Sequence, residues 1–151
     1  MIQFQLFVSY SQLAVFDSSL QKPFNNWTPA RVSQGFDWRP GSVSFKTLSE
    51  ADKYDIELLT GVTELPVLPS AVRVIEVPFQ VPSSGLIGVA SISEGHRVEL
   101  EPGSCGLRFE ALPGRQIRLV FISSNERQFR ILRADPGLTP AFPLLVTAES
   151  A

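Results

Sequence analysis

The sequence predicts an all-β fold, an antiparallel β-sandwich of roughly eight to ten short strands with one short helix in the 18–40 connection. Three observations predict it. Apolar residues recur at every second position in many short runs, the runs follow one another at ~8–12-residue spacing, and Pro, Gly or Ser bounds most of them. A double-layered or closed arrangement also removes the free edges that so many strands would otherwise expose.

The first run places Ile2, Phe4, Leu6, Val8 and Tyr10 at alternate positions with Gln3, Gln5 and Ser9 between them, the period of a strand with one buried face. Phe7 asks for partial cover on the second face. Further runs follow at 13–16, 41–46, 53–59, 71–81, 86–91, 96–100, 106–112, 116–123 and 128–132. The irregular 18–40 stretch holds both tryptophans. Within it Thr28 as N-cap, Pro29 at the first helical position and Gly35 just past the end predict the short helix. In 53–59 the acids Asp55 and Glu57 share one face while Tyr54, Ile56 and Leu58 share the other. Glu94-Gly95 reads as a hairpin turn. Late in the chain Leu107, Phe109 and Ala111 alternate with Arg108 and Glu110, and Ile117, Leu119 and Phe121 alternate with Arg118 and Val120. These runs make residues 1–133 one sandwich domain. Residues 134–151 form a C-terminal tail carrying Pro136, Pro140 and Pro143, expected to wrap the sheet through Leu138, Phe142, Leu144 and Leu145 or to stay partly mobile.

Composition removes much chemistry. A chain of 151 residues fits one domain, and a hydrophobic fraction of 44% with 19% charged residues is that of a globular protein. One cysteine, Cys105, makes no intramolecular disulfide or thiolate zinc cluster, and one histidine, His96, excludes any site built on two His ligands. No phosphate cradle, dinucleotide fingerprint or nucleophile elbow is present. His96 flanks a turn and Cys105 leads into a strand, so neither is expected to act as base or nucleophile. The expectation is therefore no catalytic residue, no metal and no cofactor. The N-terminus has no basic n-region and no continuous apolar stretch, and no run of ~18 apolar residues exists, which points to a cytoplasmic protein without membrane insertion.

The formal net charge of −2, from 13 Lys+Arg against 15 Asp+Glu, offers no global field to gather DNA or RNA, so direct nucleic-acid binding is not expected. The total hides a segregation. Between 50 and 64 five acids face one lysine, a local charge of −4; between 115 and 133 five arginines face one acid, a local charge of +4. Either the two segments orient a charged partner or they neutralise each other across neighbouring strands. In FNNWTPARVSQGFDWRP (24–40), Trp27 precedes the helix and reads as core. Trp38, between Asp37 and Arg39, reads as a contact residue, since tryptophan is enriched at interface hot spots.

The runs LFVSYSQLAVFD (6–17), WTPARVSQGF (27–36), GSVSF (41–45), VIEVPFQVPSSGLIGVASIS (74–93) and VELEPGSCGLRFEAL (98–112) resemble, in order and with comparable gaps, the competence protein J family, the DNA-entry nuclease inhibitors of bacteria. Ser9, Tyr10, Val15, Phe16, Trp27, Gly35, Gly41, Val43, Ser44, Phe45, Pro78, Phe79, Val81 and Gly85 match its recurring features, most of them core and turn positions. The chain departs from the pattern after Leu112.

The resemblance implies a small β-rich protein inhibitor of a non-specific DNA-degrading nuclease, protecting DNA during uptake or giving immunity to a toxin nuclease. A cleft positive enough to hold phosphates can be blocked by fixed carboxylates. Asp52, Asp55 and Glu57, with Asp37 and an aromatic anchor at Trp38, are the expected partner-binding residues. Two rival readings are a non-catalytic sandwich binding a carbohydrate or other small molecule, which requires a concave aromatic pocket, and a carboxylate-dependent hydrolase, which requires two acids converging in a cleft.

Overall fold

The computed structural model describes residues 1–123 and 127–151. Six strands, β1 (Ile2–Val8), β5 (Asp52–Val62), β10 (Gln116–Ser123), β9 (Gly103–Leu112), β6 (Arg73–Val81) and β11 (Arg130–Arg133), form one sheet in that order. A second sheet has the order β3 (Phe36–Arg39), β4 (Ser42–Lys46), β2 (Gln12–Asp17), β7 (Leu86–Ala90) and β8 (Gly95–Glu99). The one helix among the described residues is α1 (Pro29–Gln34). The all-β expectation with a single short helix holds.

The inward residues of both sheets form one cluster, with Leu6, Val15, Phe45, Ile56, Ile75, Phe109 and Leu119 almost completely buried. Phe45 of the second sheet stacks on Phe109 of the first at a centroid separation of 4.7 Å. The helix ends as its residues dictate: Thr28 accepts from the Arg31 amide, and Gly35 takes φ +85° while its own N–H donates to the Arg31 and Val32 carbonyls. Only glycine fits there twice over, because a Cβ on Gly35 would also lie 2.8 Å from Leu138 Cδ2.

Three details differ from the sequence reading. The described chain has eleven strands, one of them, β3, lying inside the 18–40 stretch where Asp37 and Arg39 hide its period. Strand β10 pairs with β5 in parallel, although every other pairing is antiparallel. The cause is the route of residues 63–72, which leave β5 and cross the outer face of the sheet to reach β6. β10 then returns from β9 by a tight hairpin and fills the space left between β9 and β5. Third, the tail does not use the four residues expected of it. Leu138 is buried and Leu144 packs against the core, but Phe142 is 73% exposed and Leu145 is exposed as well.

The crossing segment gives the outer face a second apolar cluster, Ala71, Val74 and Leu112 with Val67 and Leu68 packed on them. Beneath it Glu110, with no exposed surface, accepts from Arg108 Nε at 2.8 Å and from Arg118 Nε and Nη2 at 3.0 and 2.9 Å. Both arginines also donate to the Pro66 carbonyl. On the other sheet the tail closes the free edge of β3. Ala148 N donates to Trp38 O at 2.7 Å, Asn26 N to Glu149 O at 2.7 Å, and the Gln34 amide exchanges two hydrogen bonds with the Leu145 backbone. Arg73 fixes the start of that segment through a two-pronged contact to Asp135 at 2.7 and 2.9 Å. Burial alone would raise the Asp135 carboxyl, but the hydrogen bonds and charge of Arg73, with the Gly137 amide, hold it below the usual carboxylate range.

Candidate functional site

Strand alternation decides which acids reach the surface. In β5 the side chains of Tyr54, Ile56 and Leu58 are buried, so Lys53, Asp55 and Glu57 stand on the outer face, as their spacing predicts. In the antiparallel register with β1, Gln5 lies opposite Asp55 and Gln3 opposite Glu57, and Gln5 Nε2 donates to Asp55 Oδ1 at 3.1 Å. On the other flank β10 sets Gln116 beside Asp55 and Arg118 beside Glu57. The three strands enclose an open groove of about 410 Å³ whose polar wall is Gln3, Gln5, Asp55, Glu57, Gln116 and Arg118. Leu68 and Leu112 supply its apolar wall.

The net sign of the groove follows from where the arginine points. Arg118 is turned into the sheet and spends its guanidinium on Glu110 and Pro66, so among the described residues Glu57 has no ion pair. Asp55 keeps only the neutral Gln5 amide. Asp52, at the start of the same strand, is paired with Arg115 at 3.0 Å, a contact exposed enough to be worth little. Asp55 and Glu57 therefore carry two negative charges that no ion pair among the described residues neutralises, with Lys53 on the same strand face.

Asp37 and Trp38 lie elsewhere, and their expected surface role is corrected. Trp38 is only 6% exposed; its Nε1 donates to Pro78 O at 2.8 Å, and its ring meets Phe129 edge-on at 4.9 Å. The flanking charges misled the reading, because in β3 the tail covers the edge and the Arg39 side chain turns away to Asn25 Oδ1. Trp27, assigned to the core, is half-buried. Tyr10, Trp27 and Trp38 do not converge on one pocket.

Asp37 has no exposed surface. Arg31 Nε lies 3.0 Å from Oδ1, yet neither carboxylate oxygen receives an aligned hydrogen bond among the described residues. Burial pushes its carboxyl up to about 6, against the pull of Arg31 and Arg39. An unfolded aspartate titrates near ~3.9. The folded state thus holds this proton more tightly, and the penalty is complete above about pH 6 and fades as pH falls toward ~4. Asp37→Asn is expected to stabilise the fold by about 3 kcal/mol at neutral pH, with the gain shrinking below about pH 5, as read from urea unfolding at both. Destabilisation at neutral pH that fades as pH falls below about 6 would show instead that Arg31 requires the charge.

The remaining candidates behave as their positions suggest. His96 is exposed beside its turn, its ring 4.3 Å from Phe4 and its Nε2 3.2 Å from the Gln5 carbonyl. Burial pushes the Cys105 thiol up to about 12, and its Sγ–H donates to Phe79 O. The segregated charges mostly neutralise locally. Arg115 meets Asp52, Arg118 meets Glu110, Arg130 meets Glu76, and Arg133 donates to the carbonyls of Leu68 and Ala71. Gln3, Gln5 and Gln116 are groove residues that sequence reasoning missed. Only the cross-strand register brings them to the acids, and no local signal carries that register.

Among the described residues no helix is long and apolar enough to cross a membrane. No curated protein matches the chain. A crystal structure described as ComJ, inhibitor of the DNA degrading activity of NucA, from Bacillus subtilis, superposes with a TM-score of 0.72 at 22% identity, covering 82% of this chain and 96% of that one. The two share a fold. Residues 5–131 match the sequence profile of Competence protein J (ComJ), which runs through β10 into β11 and so past Leu112, where the quoted runs end. On that match over most of its length, the chain belongs to the competence protein J family.

Proposed function

We infer that this chain is a protein inhibitor of a DNA-degrading nuclease, and that it works by setting the carboxylates of β5 against the nuclease's DNA-binding cleft. The observation that carries the reading is the pair Asp55 and Glu57, held on the outer face of β5, one exposed and one half-buried, and without an ion pair among the described residues. Two carboxylates on alternate residues of one strand face stand roughly 7 Å apart along it, close to the spacing of successive phosphates on a DNA strand. The family membership and the printed description of the Bacillus structure as an inhibitor of a nuclease's DNA degrading activity support the same reading. In it the chain catalyses nothing, takes no cofactor and works in the cytoplasm, protecting DNA during uptake or against a toxin nuclease. Asp52 assists from the end of the strand.

The test is degradation of plasmid DNA by a competence-type nuclease with and without the protein. Wild type is expected to suppress degradation at near-stoichiometric ratio. The double variant Asp55→Lys/Glu57→Lys is expected to slow association by about ten-fold or more at low salt, with the difference shrinking as salt rises. Full inhibition by the double variant would remove the acidic face from the mechanism, and failure of wild type to inhibit would remove the function.

A further inference from the structure

The outer face of the first sheet carries two lateral rows of side chains, and only one of them contains a cation. Strand register puts Gln3, Glu57, Arg118 and Glu110 side by side across β1, β5, β10 and β9. The neighbouring row across the same four strands is Gln5, Asp55, Gln116 and Leu112. In the first row the chain supplies its own guanidinium: Arg118 stands between two carboxylates and gives Nε and Nη2 to Glu110 at 3.0 and 2.9 Å. In the second row the place of Arg118 is taken by a neutral amide, Gln116, and Asp55 is left without an ion pair among the described residues.

The acceptors of the second row suit a guanidinium. Gln5 Nε2 donates to Asp55 Oδ1 at 3.1 Å, which fixes the amide and leaves Asp55 Oδ2 and Gln5 Oε1 without a donor among the described residues. Gln116 adds a further amide oxygen on the other side of Asp55. These acceptors spread over three strands, about 10 Å at ~4.8 Å per strand, a width that fits the planar, five-donor fork of arginine better than the compact ammonium of lysine. Leu112 closes the row, and with Leu68 it forms the apolar wall of the groove of about 410 Å³. An arginine stem can lie against that wall while its head reaches Asp55. Lys53 precedes Asp55 on this face of β5, yet it lies opposite Phe7 in the next row out and makes no ion pair among the described residues.

We propose that the row of Gln5, Asp55, Gln116 and Leu112 is the socket for an arginine side chain of the nuclease, an inference that rests on the inhibitor reading above and names the group it grips. Charge complementarity identifies the occupant. A cleft that holds phosphates is lined with basic side chains, and the row offers it one carboxylate flanked on both sides by amide oxygens. The two acids then differ in role. Glu57, with Arg118 beside it, contributes to attraction over distance, whereas Asp55 makes the charge-assisted contact that holds the complex together.

The test is the kinetics of binding to a competence-type nuclease for Asp55→Asn, Glu57→Gln, Gln116→Arg and Gln3→Arg, with thermal unfolding as the check on folding. Asp55 and Gln116 are both exposed, so their variants are expected to keep the fold. Asp55→Asn is expected to dissociate at least about ten-fold faster, and Glu57→Gln to dissociate within about threefold of wild type. Gln116→Arg sets the chain's own guanidinium beside Asp55, as Arg118 is set beside Glu110, so it should fill the socket and raise the dissociation rate at least about ten-fold. Gln3→Arg adds the same charge to the Glu57 row and should slow association alone, an effect that fades with salt. Equal effects of Gln116→Arg and Gln3→Arg, both removed by salt, would leave only a general charge attraction and overturn the socket. So would wild-type dissociation by a folded Asp55→Asn protein. If that occurs while Asp55→Lys/Glu57→Lys still slows association, the inference alone fails; if wild type does not bind the nuclease, the inhibitor reading fails and this inference with it.

Discussion

Glu110→Ala is expected to destabilise the protein by about 3–5 kcal/mol, the usual cost of removing one partner from a buried charge network. Glu110 is fully buried, and Arg108 and Arg118 are 5% and 7% exposed, so the substitution leaves two guanidinium groups facing a cavity. Their remaining partner is the Pro66 carbonyl, which accepts from both. The damage should be localised. Residues 63–72 are held to the outer face by this network and by the small cluster of Ala71, Val74 and Leu112, so protease cleavage within 63–70 should accelerate before global unfolding does. Glu110→Gln should lose less than alanine, because an amide oxygen still accepts from an arginine while the charge attraction is gone. Replacing all three side chains with apolar residues of similar volume should restore much of the stability. A urea midpoint for Glu110→Ala equal to that of wild type would show that water replaces the carboxylate, and that the crossing segment is held by apolar contacts alone.

This network bears on the groove as well. Arg118 forms part of the wall beside Glu57, and its guanidinium is drawn to Glu110, a carboxylate it shares with Arg108, rather than to Glu57. The buried glutamate therefore acts at a distance on the sign of the surface. It is a positioning residue, and the acidity of the groove depends on which way one guanidinium faces.

How much of this was legible depended on range in sequence. The alternation of Asp55 and Glu57 with Tyr54, Ile56 and Leu58 is a period-two signal within one strand, and the strand presents those acids outward as the pattern requires. Helix α1 was equally readable, since Thr28, Pro29 and Gly35 act on their own neighbours. The parallel β5 and β10 pairing was not, because it arises from a connection that crosses two intervening strands. The glutamines of the groove come from two strands, β1 and β10, that flank β5, and needed that register. Arg118 and Glu110, eight residues apart on hairpin partners, looked like ordinary outer-face charges until the 63–72 segment covered them. Trp38 failed for the related reason that its neighbours' polarity says nothing about the tail that closes over β3.

Trp38→Ala is expected to cost about 3–5 kcal/mol, the range for truncating a buried aromatic to alanine. The indole bridges the two sheets: its backbone is in β3 of the second, and its Nε1 donates to Pro78 O in β6 of the first at 2.8 Å. Its ring also carries the edge-on contact to Phe129, and the Arg127 guanidinium carbon lies 5.4 Å from the ring centroid. Removing it opens a cavity between the sheets and leaves the Pro78 carbonyl without that donor. Trp38→Phe keeps most of the volume and loses the hydrogen bond, so its expected loss is smaller, about 1–3 kcal/mol. The two variants separate core from contact. If Trp38 acts only through the fold, Trp38→Phe inhibits the nuclease with wild-type potency per folded molecule, whereas Asp55→Lys/Glu57→Lys, with an intact fold, does not. A Trp38→Phe protein that melts like wild type yet no longer inhibits would place the indole at the interface, against its burial.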